Sequence, residues 1–103
     1  MHVLKIVNIN TLTLEFMKKL AKEKHKVDVV IMDPPRSGST KQFMDSVKIL
    51  NPKQVVYISC DPTTQIRDIQ YFKKIGYHTH TMHLYDMFPH TSHVESICLL
   101  SAK

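Results

Sequence analysis

Three residues with reactive or ionisable side chains lie at the boundaries of apolar runs in this sequence. The run VVYIS leads into Cys60, the run VVIM leads into Asp33, and Glu95 stands at the start of the last apolar run. Asp61 and Pro62 follow the cysteine and are typical of a helix N-cap and first turn, so a thiolate at Cys60 would be stabilised by the helix dipole. A thiol and two carboxylates at one edge of a fold would provide groups for nucleophilic and acid–base chemistry.

Each of these residues also has an ordinary structural interpretation. Asp33 suits a turn before a proline, Cys60 suits a small apolar position, and Glu95 suits a solvated strand start. Cys98 lies in the middle of an apolar run and is predicted to be a core residue. Taken singly, the signals leave both interpretations open, and it is their joint arrangement that favours a functional site.

The predicted elements that would position these residues alternate between strand and helix. Short apolar or alternating runs predict strands, over residues 3–7, 27–32, 54–59, 77–85 and 94–101. Apolar residues at helical spacing predict three helices. The first covers residues 12–25. The second begins at Ser39, which forms a capping box with Gln42, and the third begins at Asp61–Pro62 and carries Ile66, Ile69 and Phe72. The runs 27–32 and 54–59 are continuously apolar, which is typical of strands covered on both faces. This order predicts a doubly wound α/β sheet.

The last two predicted strands are joined by a loop, residues 86–93, and not by a helix. A parallel return needs a longer crossover, so these strands are predicted to run antiparallel. In open α/β sheets the working crevice lies beyond the carboxyl ends of the parallel strands. Asp33, Cys60 and the approach to Glu95 are therefore predicted to meet at one rim.

Composition fits one small domain of 103 residues, of which 43% are hydrophobic. No apolar run approaches the roughly 18 to 20 residues of a membrane helix. Two cysteines do not make a disulfide framework, so a reducing cytoplasm is expected. The net charge of +5 suits a polyanionic partner such as RNA, although many unrelated proteins share it. The oligomeric state is left open.

Three blocks of the sequence, DPPRSGS, YISCDPTTQIRD and DMFPHTSHVES, resemble the last three signature blocks of the S-adenosylmethionine-dependent RNA (uracil-5-)-methyltransferases. These enzymes form 5-methyluridine in tRNA and ribosomal RNA. The resemblance covers about residues 27–100 and implies the C-terminal half of a Rossmann-like methyltransferase sheet, in the order 27–32, 54–59, 94–101, 77–85. It also implies that Cys60 is the nucleophile that adds to uracil C6 and that Glu95 is the base.

The resemblance implies S-adenosylmethionine as cofactor and RNA as partner. Asp33 would lie near the methyl donor and the target base, and Arg36 would contact the substrate RNA. The second block usually carries asparagine where this chain has Asp61, whose carboxylate would disfavour a neighbouring thiolate, with Arg67 as a possible counter-charge.

The glycine-rich cofactor turn and the RNA-binding portion of the family have no counterpart in this sequence. Residues 1–103 are therefore expected to form a partial catalytic domain with an incomplete cofactor site that binds S-adenosylmethionine weakly or not at all. The alternative is an inactive fragment that acts at most as an RNA- or partner-binding module.

Other enzyme classes fit the residue types less well. Enzymes that methylate exocyclic amines carry an aromatic residue after a similar Asp/Asn-Pro-Pro, where this chain has Arg36. RNA cytosine-5 methyltransferases carry a further cysteine in the first block, which is missing here. The histidines between His78 and His93 show no recognisable zinc spacing, so no metal site is predicted.

Overall fold

The computed structural model describes four stretches of the chain, residues 2–6, 11–23, 26–85 and 95–102. Within them the elements follow the order β1 (Val3–Ile6), α1 (Thr11–Lys22), β2 (Val29–Met32), α2 (Lys41–Leu50), β3 (Gln54–Ser59), α3 (Pro62–Lys74), β4 (Tyr77–Tyr85) and β5 (Glu95–Ala102). This order confirms the predicted alternation of strands and helices. The predicted loop 86–93 lies outside the described residues. No described helix is long and apolar enough to cross a membrane.

The strands form one mixed sheet in the order β1-β2-β3-β5-β4. Strands β1, β2 and β3 are parallel neighbours, and β5 lies antiparallel between β3 and β4. The predicted order of the last four strands and the antiparallel hairpin are therefore confirmed. The fold is α/β, and β1 adds one further parallel strand beside β2.

The described helices cover one face of the sheet. The core joins alternate strand residues to inward-facing helix residues, among them Val30, Met32, Val55, Tyr57 and Leu100 from strands and Met17, Phe43, Val47, Ile69 and Phe72 from helices. Full burial of a side chain such as Phe43 contributes about 1.5 to 3 kcal/mol to stability. The opposite face, with Ile31, Val56 and Ile58, is half-buried.

The two-faced cover that the continuous apolar runs predict is therefore not provided by the described helices. The physical reason is the direction of the crossovers. The steps from β1 to β2, from β2 to β3 and from β3 to β4 all advance the same way across the sheet. Right-handed crossovers that advance in one direction place their helices on the same face.

Helix α2 begins one residue later than predicted. Its N-cap is Thr40, whose side-chain oxygen accepts a hydrogen bond from the backbone N–H of Phe43 at 3.1 Å. The predicted cap, Ser39, instead donates its backbone N–H to the buried carboxylate of Asp68 at 2.7 Å. The capping box from Ser39 to Gln42 is therefore wrong, because the loop is held by a tertiary contact. The helix ends at Asn51 in the left-handed conformation, as the sequence Asn51-Pro52 predicts.

Helix α3 starts as predicted at Asp61 and Pro62. The Asp61 carboxylate accepts hydrogen bonds from the backbone N–H groups of Thr63 and Thr64, at 3.0 and 3.4 Å. One predicted inward residue is misplaced, since Ile66 is 50% exposed. The inward stripe of the helix consists of Gln65, Asp68, Ile69 and Phe72.

Candidate active site

The sheet register brings the end of β3, next to Cys60, beside the start of β5 at Glu95. Strands β3 and β5 are antiparallel, and their last registered pair at this edge is Ser59 with Ser96. Cys60 follows Ser59 directly, and Glu95 precedes Ser96 directly, so each residue lies one position beyond this pair. Opposite residues of an antiparallel pair have Cα atoms about 4.5 to 5.5 Å apart, so this register brings the thiol and the carboxylate to one edge.

Asp33 belongs to the same edge through strand β2, the other neighbour of β3. It lies one residue beyond the parallel pair of Met32 and Tyr57. Glu95 lies in β5 on the half-buried face opposite the helices, and the same alternation, if continued one residue beyond β2 and β3, would put Asp33 and Cys60 on that face. All three residues are half-buried. They all adjoin the same edge of the sheet, and the meeting of their side chains there stays a prediction.

Burial sets the protonation behaviour of Asp33. Desolvation raises the pKa of the Asp33 carboxyl above its ordinary value, and the nearby Lys5 ammonium partly opposes this rise. The backbone N–H of Asp33 donates to the carbonyl of Ile6 at 2.9 Å, which fixes the residue at the end of the sheet. A half-buried carboxylate of this kind gains stability from a cation or a hydrogen-bond donor bound beside it.

A short turn carries Cys60 to the rim. The buried hydroxyl of Ser59 donates to the carbonyl of Asp61 and accepts from the backbone N–H of Asp61, both at 2.9 Å. Cys60 therefore lies at the bend between a strand and a capped helix, where it is half-exposed as a free thiol. Cys98 is fully buried, as predicted, and burial raises its pKa to about 11.

Arg36 is exposed, in a loop that is tied to the start of α3. Its carbonyl accepts a hydrogen bond from the Thr64 hydroxyl at 3.0 Å. Arg67 does not act as the counter-charge that the sequence offered for Asp61. Its guanidinium pairs with Asp68 at 3.0 Å and donates to the carbonyl of Ser37 at 3.0 Å. Arg67 therefore stabilises the loop after β2.

Two buried polar residues of α3, Gln65 and Asp68, stabilise this edge. No role for either of them was predicted from the sequence. The Gln65 amide donates to the carbonyls of Tyr57 and Ser96, each at 3.0 Å, and so joins β3 to β5 close to the rim. Asp68 accepts from the Tyr57 hydroxyl and from the Ser39 backbone. The available signal was their spacing, since Gln65 and Asp68 lie four residues before the buried Ile69 and Phe72, but the apolar Ile66 pointed to a different side of the helix.

The histidine cluster shows one contact in the described part of the chain. The rings of His78 and His80 meet edge to face, with centroids 4.8 Å apart. No group of three or more potential metal ligands is found among the described residues. His90 and His93 lie outside those residues, so the structure does not test them.

The fold and the edge together define a class of protein. A mainly parallel sheet with an antiparallel last strand inserted between its neighbours is the arrangement that the resemblance to methyltransferases implies, and ionisable residues adjoin its carboxyl edge. Comparison with protein families makes this specific, because the family profile described as tRNA (Uracil-5-)-methyltransferase matches residues 9–103. The chain belongs to the tRNA (uracil-5-)-methyltransferase family.

Similar proteins agree with this family. The chain is 49% identical over 86 residues to a Lactobacillus johnsonii protein named "Uncharacterized RNA methyltransferase", covering 84% of this chain and 19% of that protein. It is 48% identical over 82 residues to a protein of the same name from Caldanaerobacter subterraneus, covering 80% of this chain and 18% of the relative. The chain thus spans about a fifth of the length of these curated relatives.

A solved structure shares the fold. The Pyrococcus abyssi tRNA (uracil-54, C5)-methyltransferase in complex with S-adenosyl-L-homocysteine superposes with a TM-score of 0.71 at 24% sequence identity. The superposition covers 96% of this chain and 34% of that protein. At this identity the likeness establishes the architecture of the sheet.

Proposed function

We propose that the protein containing this chain forms 5-methyluridine in RNA, with S-adenosylmethionine as methyl donor and with Cys60 and Glu95 as the reacting side chains. The observation that supports the proposal is the register of the sheet, in which Cys60, Glu95 and Asp33 each adjoin a registered pair at one edge. Family membership supports the uracil substrate. The relatives named as RNA methyltransferases support RNA as the polymer that is modified, whether tRNA or ribosomal RNA.

The first step uses the thiol, because carbon 5 of uracil is a poor nucleophile. The Cys60 thiolate forms a bond to C6, and the electrons of the C5=C6 double bond move to give an enolate. Carbon 5 then forms a bond to the methyl group of the donor as the methyl–sulfur bond breaks. The target base must leave its stack for Cys60 to reach it, and a rim position makes this possible.

The second step uses the carboxylate. Glu95 takes the proton from C5, and the electron pair of that C–H bond restores the C5=C6 double bond. The bond between C6 and the sulfur breaks, and Cys60 leaves as a thiolate ready for another cycle. The proton on Glu95 passes to water.

Asp33 is the described group that fits the cofactor. S-adenosylmethionine carries a sulfonium and an ammonium, and a half-buried carboxylate favours a cation beside it. Bound there, the cofactor supplies an electrophilic methyl group. Asp33 would also accept a hydrogen bond from the uracil edge, and the exposed Arg36 would contact a phosphate of the substrate. Asp33 and Arg36 thus act in binding, while Cys60 and Glu95 act in bond formation.

The proposal is tested in the full-length protein that carries this chain, with RNA and S-adenosylmethionine. Cys60→Ala should abolish both methyl transfer and the covalent protein–RNA adduct seen on a denaturing gel. Glu95→Gln should allow the adduct to form and accumulate, because the C5 proton stays in place. Cys98→Ala is the matched control and should retain the adduct.

Two results would overturn the proposal. One is normal methylation by Cys60→Ala. The other is a product nucleoside, identified by mass spectrometry after nuclease digestion, that carries its new methyl group at a position other than C5 of uridine.

A further inference from the structure

A cleft of about 840 Å³ lies between α2 and α3, on the side of the sheet that the helices cover. Its walls are residues 37–40 of the loop before α2, the first turns of α2, and one side of α3. The loop that forms one end of the cleft directly follows Arg36, so the cleft starts beside the proposed substrate-binding edge. It then continues along α3 away from that edge.

The lining is strongly basic. Lys41, Arg67, Lys73 and Lys74 line the cleft, and Asp68 is the acidic residue among the lining side chains. Asp68 is 1% exposed and is paired with Arg67 at 3.0 Å. Its charge is therefore compensated inside the protein. The three exposed lysines outnumber the nearby exposed Asp45, which accepts from the Tyr71 hydroxyl at 2.6 Å, so the potential in the cleft is positive.

The first turn of α2 adds to this potential. The helix has ten residues, carries no acidic residue in its first turn and begins at the wall of the cleft. A helix N-terminus carries a positive partial charge and presents backbone N–H groups to anions. Together, the lysines and the N-terminus of α2 therefore favour a negatively charged ligand.

The basic and aromatic groups of α3 form a line. Arg67, Gln70, Tyr71 and Lys74 are spaced by three, one and three residues, so they share one side of the helix. From Arg67 to Lys74 this line is about 10 Å long at 1.5 Å per residue. The Lys41 ammonium lies 5.8 Å from the centre of the Tyr71 ring. Cations interleaved with an aromatic ring are typical of sites for single-stranded nucleic acid.

We propose that this cleft binds the phosphodiester backbone of the substrate RNA, on the strand that continues from the target uridine. A basic line of about 10 Å is long enough to contact about two successive phosphates of one strand. The inference deepens the proposed function, since it rests on RNA being the substrate. A phosphate strand fits better than an acidic peptide because the aromatic ring can stack on a base.

The test is equilibrium binding of a fluorescein-labelled oligouridine to the folded 103-residue chain over a range of salt concentrations. The variant is Lys73→Gln/Lys74→Gln, in the last turn of α3. The matched control is Lys19→Gln/Lys22→Gln, in the last turn of α1 and outside the cleft lining. Both variants lose two exposed positive charges from the same position of a helix, so net charge and dipole effects are equal.

In the cleft variant the slope of log K against log salt should fall by about 1.4, since each phosphate contact on a single strand contributes about 0.7. The slope of the α1 variant should remain that of the wild type. Equal losses in both variants would show that binding follows net charge alone and would overturn the proposal. Absence of RNA binding, or equal binding of polyglutamate, would also overturn it. This measurement does not require methyl transfer. A failure of RNA binding in the cleft can therefore be distinguished from a failure of the proposed roles of Cys60 and Glu95.

Discussion

The Tyr57 hydroxyl, on the central strand β3, donates a hydrogen bond to the carboxylate of Asp68 on α3. The same carboxylate oxygen accepts the backbone N–H of Ser39 at 2.7 Å, and the second oxygen accepts from Arg67. Sheet, helix and the loop after β2 therefore meet at one buried side chain. Asp68 thereby fixes the start of the proposed RNA cleft and supports the loop that carries Arg36.

Removal of this carboxylate should be costly. Asp68→Ala leaves the Tyr57 hydroxyl and the Ser39 N–H without an acceptor, and we expect a loss of about 3 to 5 kcal/mol in urea unfolding. Tyr57→Phe should cost less, about 1.5 to 3 kcal/mol, because it removes one donor to a charged group. The double variant should lose clearly less than the sum of the two single losses. Additive losses would show that the two side chains do not act as a unit.

Gly38 is predicted to be much less tolerant of a side chain than Gly76. Both glycines have positive φ, 87° and 112°, so alanine meets comparable backbone strain at each position. A Cβ at Gly38 would lie 2.8 Å from the Asp68 carboxylate and against the Arg67 guanidinium, whereas at Gly76 it meets the movable end of Lys48 at 3.0 Å.

Gly38→Ala should therefore destabilise the chain by at least about 1 kcal/mol more than Gly76→Ala in urea unfolding. It should also increase hydrogen exchange at residues 37–40, because the new methyl group displaces the Arg67–Asp68 pair. Equal stabilities of the two variants would contradict the close packing of the loop on α3.

The two cysteines should react very differently in the folded chain. Cys60 is half-exposed at the rim, whereas Cys98 is fully buried with its pKa raised to about 11 by burial. At pH 8, iodoacetamide should modify Cys60 and leave Cys98 unmodified, as read by mass spectrometry of the peptides. In unfolding concentrations of urea both should react, which controls for intrinsic reactivity. Faster modification of Cys98 than of Cys60 in the folded chain would contradict the assignment of Cys60 to the rim.

Local signals in the sequence predicted much of the fold. The Asp61-Pro62 and Asn51-Pro52 pairs mark helix ends because capping and proline geometry depend on a few neighbouring residues. The antiparallel hairpin followed from a loop too short for a crossover. Asp33 and Cys60 could be assigned to one edge because the carboxyl ends of neighbouring parallel strands coincide, and Glu95 because an antiparallel strand begins where its parallel neighbour ends.

Other features depend on partners far away in the sequence and were out of reach. Ser39 looks like a helix cap, but its backbone is bonded to Asp68, 29 residues further along the chain. Gln65 bridges two strands through an atom 31 residues away, and periodicity instead selected the exposed Ile66 as an inward residue. The absence of helices from the second sheet face, within the described residues, follows from the direction of the crossovers. Apolar composition does not encode that direction.

The free energy of unfolding should fall at alkaline pH, in part because Tyr77 loses its proton. The ring is fully buried and its hydroxyl donates to the carbonyl of Pro52 at 3.0 Å. Burial raises the pKa of Tyr77 to about 12, against about 10 for tyrosine in an unfolded chain. The stability that this tyrosine contributes is therefore fully present below pH 10 or so. It is lost as pH rises through the folded value, since the unfolded chain releases the proton first.

Tyr77→Phe removes this titration, together with one hydrogen bond worth about 1 kcal/mol. At pH 8 the variant should be less stable than the wild type by about that amount. Between pH 9 and 11 the wild type should lose about 1.4 kcal/mol, the energy of one pKa unit, so its advantage over the variant should have disappeared by about pH 11. Tyr57 and Cys98, whose pKa values burial also raises, titrate in both proteins and cancel in the comparison. A difference in urea-unfolding free energy that stays constant from pH 8 to pH 11 would show that the Tyr77 hydroxyl is not held in a buried, proton-retaining site.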